Sequence, residues 1–150
     1  MFLLQVFLGW IYGHIFEWFA HKYILHNNKT FKHHFGVHHK ISRKNGMHDK
    51  NYERWIQREN LFEPISLSLI LLLHAPLFFY YKYFYAALVF SVSSYYFLHR
   101  KSHVDVEWGK KWLPWHYEHH MGKNQHVNWG VRLPIIDIIF GTYVAKSKIN

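Results

Sequence analysis

Between Arg58 and Arg100 the chain carries one basic residue, Lys82. Most of that interval is apolar or aromatic, and it divides into ISLSLILLLHAPLFFYY (65–81) and YFYAALVFSVSSYYFL (83–98). A second apolar run, MFLLQVFLGWIYGHI, opens the chain and continues to Leu25. A hydrocarbon core about 30 Å thick is crossed by roughly 20 helical residues rising about 1.5 Å each. Met1 to Ala20 reaches that length, with an interfacial amphipathic helix as the alternative. The two later runs predict a helical hairpin turning near Lys82, or two short helices that do not fully cross, the first kinked at Pro76. Tyrosines 80, 81, 83 and 85 cluster at the turn, as interfacial aromatics do. The expected fold is therefore an all-α integral membrane protein of about three to four transmembrane or interfacial helices. Its single domain (1–150) divides into an apolar helix (1–25), a histidine-rich loop (26–60), the hairpin (61–98) and a histidine-rich C-terminal segment (99–150).

Charge placement orients that arrangement. The chain has 18 Lys+Arg against 9 Asp+Glu, a formal net charge of +9. Eight basic residues fall in 27–60 and eight in 100–150. The positive-inside rule then puts both histidine-rich segments on the cytoplasmic side. Membrane-length apolar runs among the basic stretches argue against nucleic acid as a partner. The N-terminus lacks a basic leader and a small-residue cleavage site, so it reads as a retained segment. With no cysteine, thiolate zinc sites, cysteine-bound iron–sulfur clusters and disulfides are excluded. Neither GxGxxG nor a P-loop is present, so no nucleotide site is visible.

Fifteen histidines remain to be explained. In WHYEHHMGKNQHVNWG (115–130), His116, His119 and His120 are spaced i, i+3, i+4, one face of one helical turn. HHFGVHHK repeats the pattern, with His34 and His38 at i, i+4 and His39 adjacent; LHRKSH gives His99 and His103. HKYILH supplies His21 and His26, which reach one centre if the helix bends or ends between them, with Asn27–Asn28 a plausible terminus. His33 and His48 read as solvated, and His74 as a buried histidine bonded to a neighbour. The spaced clusters hold ten imidazoles, too many for one four-ligand ion and suited to two. Nitrogen ligation alone leaves iron, zinc, copper and nickel open. Glu17, Glu118 and Asp137 are candidates to orient imidazoles from behind. His126 is a further candidate site residue. Trp10, Trp18, Tyr95 and Phe97 are candidates to line an apolar path to the centre.

The ordered series HxxxxH, HxxxHH, HxxxH, HxxHH around an apolar hairpin resembles the membrane fatty acid hydroxylase / sterol desaturase superfamily. The tail is similar too: Asn128-Trp129-Gly130, Leu133-Pro134, Asp137 and Phe140-Gly141-Thr142 follow the last box. HKYILH is also similar to the first box of carotenoid β-ring hydroxylases. The resemblance covers roughly residues 17–143. It implies a di-iron centre held by the ten histidines, with zinc possible in purified protein, and dioxygen as co-substrate. It implies a lipid substrate (fatty acyl, sterol or carotenoid) that is hydroxylated or desaturated. No haem, flavin or iron–sulfur motif is visible, so electrons are expected from an external carrier protein docking on the basic face. The competing reading is a non-enzymatic membrane metal-binding or transport protein. Transport should place ionisable groups along the spans, where the hairpin offers His74 and a few serines.

Overall fold

The computed structural model describes residues 1–27 and 32–145; Asn28 and the last residues of the tail, from 146 on, lie outside them. Every regular element among the described residues is helical. Helix α1 (Phe2–Phe19) passes directly into a π-helical segment, Ala20–Leu25. A second π-helical segment, His33–His39, runs into α2 (Lys40–Lys44). Two 3-10 turns, Lys50–Tyr52 and Arg58–Asn60, lead to α3 (Phe62–His74). Then come α4 (Leu77–Tyr80), the long α5 (Lys82–Val104), α6 (Val106–Trp112), α7 (Pro114–Met121) and the short α8 (Ile135–Ile139). The described residues of 26–60, a stretch expected as a loop, are thus largely short helical turns.

The main scaffold is α1 packed along α5. Two glycines one turn apart make that contact close. A Cβ on Gly9 would lie 2.5 Å from the carbonyl oxygen of Phe84, and one on Gly13 would lie 2.6 Å from Ser91 Oγ. This is the small-xxx-small device by which apolar helices bring their backbones together.

Only Phe2–Leu25, 24 residues, is long and apolar enough among the described helices to cross a membrane. The three to four helices expected counted transmembrane and interfacial ones together, and Phe62–His74 is a shorter apolar helix. Helix α3 spans 13 residues and stops at His74. Pro76 has no N–H to continue the ladder, so it ends the first arm where a kink was expected. The chain resumes as α4 and turns at Tyr81 (φ −137°, ψ 57°) into α5, close to the expected position. The last two turns of α5 carry His99, Arg100, Lys101, Ser102 and His103, which makes its end polar.

Short capping devices then fold the histidine-bearing pieces under α1 and α5. Asp105 accepts from Trp108 N at 3.1 Å and starts α6. Pro114 occupies the first turn of α7, where its missing N–H costs nothing. The apolar tail makes α8, and Ile136 packs with Trp18 and Trp129.

The close approach of α1 to α5 predicts that Gly9→Val destabilises the protein by about 1–3 kcal/mol, the usual cost of overpacking. Thermal unfolding in detergent reads this; an unchanged melting temperature would contradict the helix contact.

Candidate metal centre

All ten box histidines meet in one place, each at most 8 % exposed. Nine of them fall into two groups, the ring nitrogens within each group lying within 4.8 Å of one another. The first holds His21, His26, His34, His39 and His119; the second holds His38, His99, His103 and His120. His116 adjoins the second, its Nε2 3.4 Å from His103 Nε2.

The π-helical segments explain the sorting. A π-turn closes i→i+5, and His26 N–H donates to His21 O at 3.2 Å. The i, i+5 pair His21/His26, awkward on an α-helix, therefore shares one group. The second π-segment does the same for His34/His39 and sends His38, expected beside His34, to the other group. In α7, His119 and His120 likewise go to different groups, although a single face had been expected for both. His99 and His103 follow ordinary α-helical spacing and stay together.

Ring orientation is fixed from behind, so the tautomers can be assigned from the hydrogen bonds. His21 Nδ1 donates to Trp129 O at 2.6 Å and His119 Nδ1 to Val127 O at 2.6 Å. His103 Nδ1 donates to Met47 O at 2.9 Å. His38 Nδ1 meets Asp49 Oδ2 at 2.9 Å, and His99 Nδ1 meets Glu63 Oε1 at 2.7 Å. Each of these five rings must then present the bare lone pair of Nε2 inward, the form that binds a metal. Gln125 Nε2 donates to His120 O and to His39 Nδ1, at 2.9 and 3.1 Å, which leaves the His39 proton on Nε2, facing His119. Metal ligation through His39 Nε2 requires that amide to turn.

The donor set fits metal ions. His38 Nε2, His99 Nε2 and both nitrogens of His120 are buried without a hydrogen-bond partner. His21 and His34 bring their Nε2 atoms to 3.0 Å, and His119 Nε2 lies 3.2 Å from both His26 and His39 Nε2. Neighbouring ligands at about 2.1 Å from one ion are about 3 Å apart when bound at right angles. Nitrogen-only donors admit iron, zinc, copper or nickel.

Two of the three acids proposed as direct supports, Glu17 and Asp137, act through the main chain. Glu17 accepts from Val131 N at 2.6 Å and from Arg132 N and Nε at 3.0 and 2.6 Å. Asp137 accepts from Trp129 N at 2.8 Å, Gly130 N at 2.7 Å and Thr142 Oγ1 at 2.7 Å. Asn128 (φ 56°) bonds the main chain of Val144 through both side-chain atoms, at 2.8 and 2.9 Å. All three hold the 127–132 loop, whose Val127 and Trp129 carbonyls orient His119 and His21. Glu17 and Asp137 thus bear on imidazoles through the main chain. Glu118 is buried on α7. His126 is exposed, its ring edge-on to His26 at 5.7 Å, and belongs to neither group. Asp49 and Glu63, whose carboxylates touch His38 and His99, were not among the candidates read from the sequence.

His33, His48 and His74 fall where expected. His33 bonds Glu59 O at 3.1 Å, and His48 is partly exposed beside Glu53. His74 bonds Tyr12 OH and Ile70 O, both at 2.8 Å, and does not join the groups. An apolar-walled cavity between α1, α3 and α5 reaches His21, His34 and His38. Of the four aromatics proposed to line it, Tyr95 does so; Phe97 is exposed and Trp18 packs in the core.

Burial, and secondarily the neighbouring imidazoles, holds the protonation of His34, His38, His39 and His120 well below the usual histidine range. The unfolded chain takes up those protons below about pH 6.5 and the folded chain does not. The unfolded state therefore binds more protons there, and stability falls as pH falls. Metal-depleted protein should melt at a constant temperature above about pH 7 and progressively lower from about pH 6.5 to 5. A rise on acidification would contradict the burial of neutral imidazoles. Asp49→Asn and Glu63→Gln should each weaken metal binding about 10–100-fold, the usual cost of losing a supporting carboxylate. Competition with a chelator reads this; unchanged affinity in both would contradict the supporting role.

No curated protein and no solved structure matches this chain. The fatty acid hydroxylase family model matches residues 6–142, which span all ten box histidines and the loop that orients two of them. The chain belongs to the fatty acid hydroxylase family.

Proposed function

We propose that the chain is an integral membrane di-iron oxygenase that hydroxylates an unactivated C–H bond of a lipid. The observation that carries this reading is the convergence of ten buried imidazoles, in two groups, at the end of an apolar-walled cavity. Family membership supports an oxidoreductase acting on lipid. When bound, a pair of iron ions would supply the redox chemistry that couples dioxygen reduction to C–H oxidation.

The chain's own residues have three tasks in this reading. Phe16, Leu67, Ile70, Leu88 and Val92 form apolar walls that admit a hydrocarbon chain and exclude water. The ten histidines are the proposed ligands, His21, His34 and His38 lying where the cavity meets the centre. Asp49 and Glu63 retain the Nδ1 protons of His38 and His99, which keeps their Nε2 atoms unprotonated.

Electrons come from an external carrier in this account. Lys40, Arg43, Lys44 and Lys123 are exposed around the join of α2 and α7. Arg43 Nη1 donates to His120 O and Gly122 O, both at 2.9 Å, so this basic surface touches the backbone of a proposed ligand. An acidic carrier suits it, and the positive-inside pattern supports a cytoplasmic position for it in this reading.

The test supplies iron-loaded, detergent-purified protein with a membrane lipid extract, a chemical reductant and isotopically heavy dioxygen. Heavy oxygen in a lipid hydroxyl, abolished by His119→Ala with His120→Ala, is the expected result. A new double bond without heavy oxygen would move the reading to desaturation. Neither product from iron-replete protein would contradict the enzyme assignment.

A further inference from the structure

The cavity has a polar end that the histidines do not account for. Ser91 is 2 % exposed, it lines the cavity, and its hydroxyl has no hydrogen-bond partner among the described residues. Arg132 lines the same wall, 6 % exposed. Its Nε is held by Glu17 Oε2 at 2.6 Å, and its Nη groups make no hydrogen bond among the described residues. Ser91 Oγ and Arg132 Nη2 flank one spot over Gly13, where a Cβ would lie 2.6 and 3.4 Å from them. Gly13 itself packs directly against Ser91, so both polar groups meet at this point of the cavity wall.

The two walls agree on its distance from the centre. On α1 and its π-extension, Gly13, Glu17 and His21 follow at intervals of four, and all three line the cavity. On α5, Ser91, Tyr95 and His99 follow at the same interval, with Tyr95 stacked on His99 at 5.5 Å. Eight residues at about 1.5 Å each put the polar spot about 12 Å from the imidazoles along both helices.

We infer that Ser91 and Arg132 form an oxygen-binding subsite that anchors one end of the substrate, about two helical turns from the metal centre. This rests on the proposed lipid oxygenase and narrows its substrate to an amphiphile with an apolar body. The anchored group is an uncharged oxygen, a hydroxyl or carbonyl. Glu17 already balances the guanidinium charge, so an anion would bring an unpaired negative charge into an apolar cavity. A hydroxyl or carbonyl takes the free Nη protons and the Ser91 hydroxyl without that penalty. The subsite then acts as a ruler, selecting which carbon reaches the histidines.

Equilibrium binding of labelled 1-hexadecanol, hexadecane and hexadecanoate to the detergent-purified chain tests this without turnover. Wild type should prefer the alcohol over the alkane by about two- to tenfold, the range of one net hydrogen bond. Ser91→Ala should erase that preference while melting no lower than wild type, because it removes an unpartnered buried hydroxyl. A Ser91→Ala variant that melts lower makes the hydroxyl structural and overturns the subsite. Equal wild-type affinity for alcohol and alkane, a preference that survives Ser91→Ala, strongest binding of hexadecanoate, or binding of none of the three would also overturn it. Loss of oxygen incorporation with the alcohol preference intact would refute the oxygenase and leave the subsite standing.

Discussion

Ten imidazoles packed against one another out of water are the constraint on which this structure depends. Their rings stand edge-on or stacked, as with His39 and His120 at 4.0 Å between centroids. Buried nitrogens left without partners cost free energy unless something meets them. A cation accepting several lone pairs at once is the natural counterpart, and proton uptake is the competing outcome. The rest of the fold serves to keep those lone pairs aimed inward. Asp49 and Glu63 do this with carboxylates in one group, and main-chain carbonyls of Trp129 and Val127 do it in the other.

That division makes the 127–132 loop central to the site. Asn128 sits in a left-handed conformation, which Asn tolerates better than most residues. The carbonyls on either side of it reach two different helices. Asp137 grips the loop at Trp129 and Gly130, and Glu17 grips it at Val131 and Arg132. The loop thereby ties α1 to α8, and the ion pair that closes it also furnishes part of the wall of the apolar cavity. The histidine site and the wall of the cavity are thus coupled through the Glu17–Arg132 pair.

The histidine set was legible in the sequence because ligand spacing is a local property of helices. His99/His103 obeys the α-helical rule directly. The grouping was not legible, because it depends on π-turns that place i, i+5 together, as in His21/His26 and His34/His39. Asp49 and Glu63 escaped notice because their histidines lie 11 and 36 residues away, which no local spacing reveals. Gly9 and Gly13 did carry a readable signal, a glycine pair at i, i+4 in an apolar helix. The apolar runs alone did not separate a full hairpin from two short helices, a choice that turns on Pro76, which cuts the first arm, and on the polar end of α5, which makes the other arm less apolar.

The central claim is that the two histidine groups hold two separate ions. The most direct measurement is metal content per chain in wild type, His119→Ala and His120→Ala, with absorption spectroscopy of the metal's ligands. The account predicts two ions per wild-type chain in a nitrogen environment. Because His119 and His120 belong to different groups, each single variant should lose one ion and the double variant both. One ion or none in the wild type, or sulfur in its ligand shell, would contradict it.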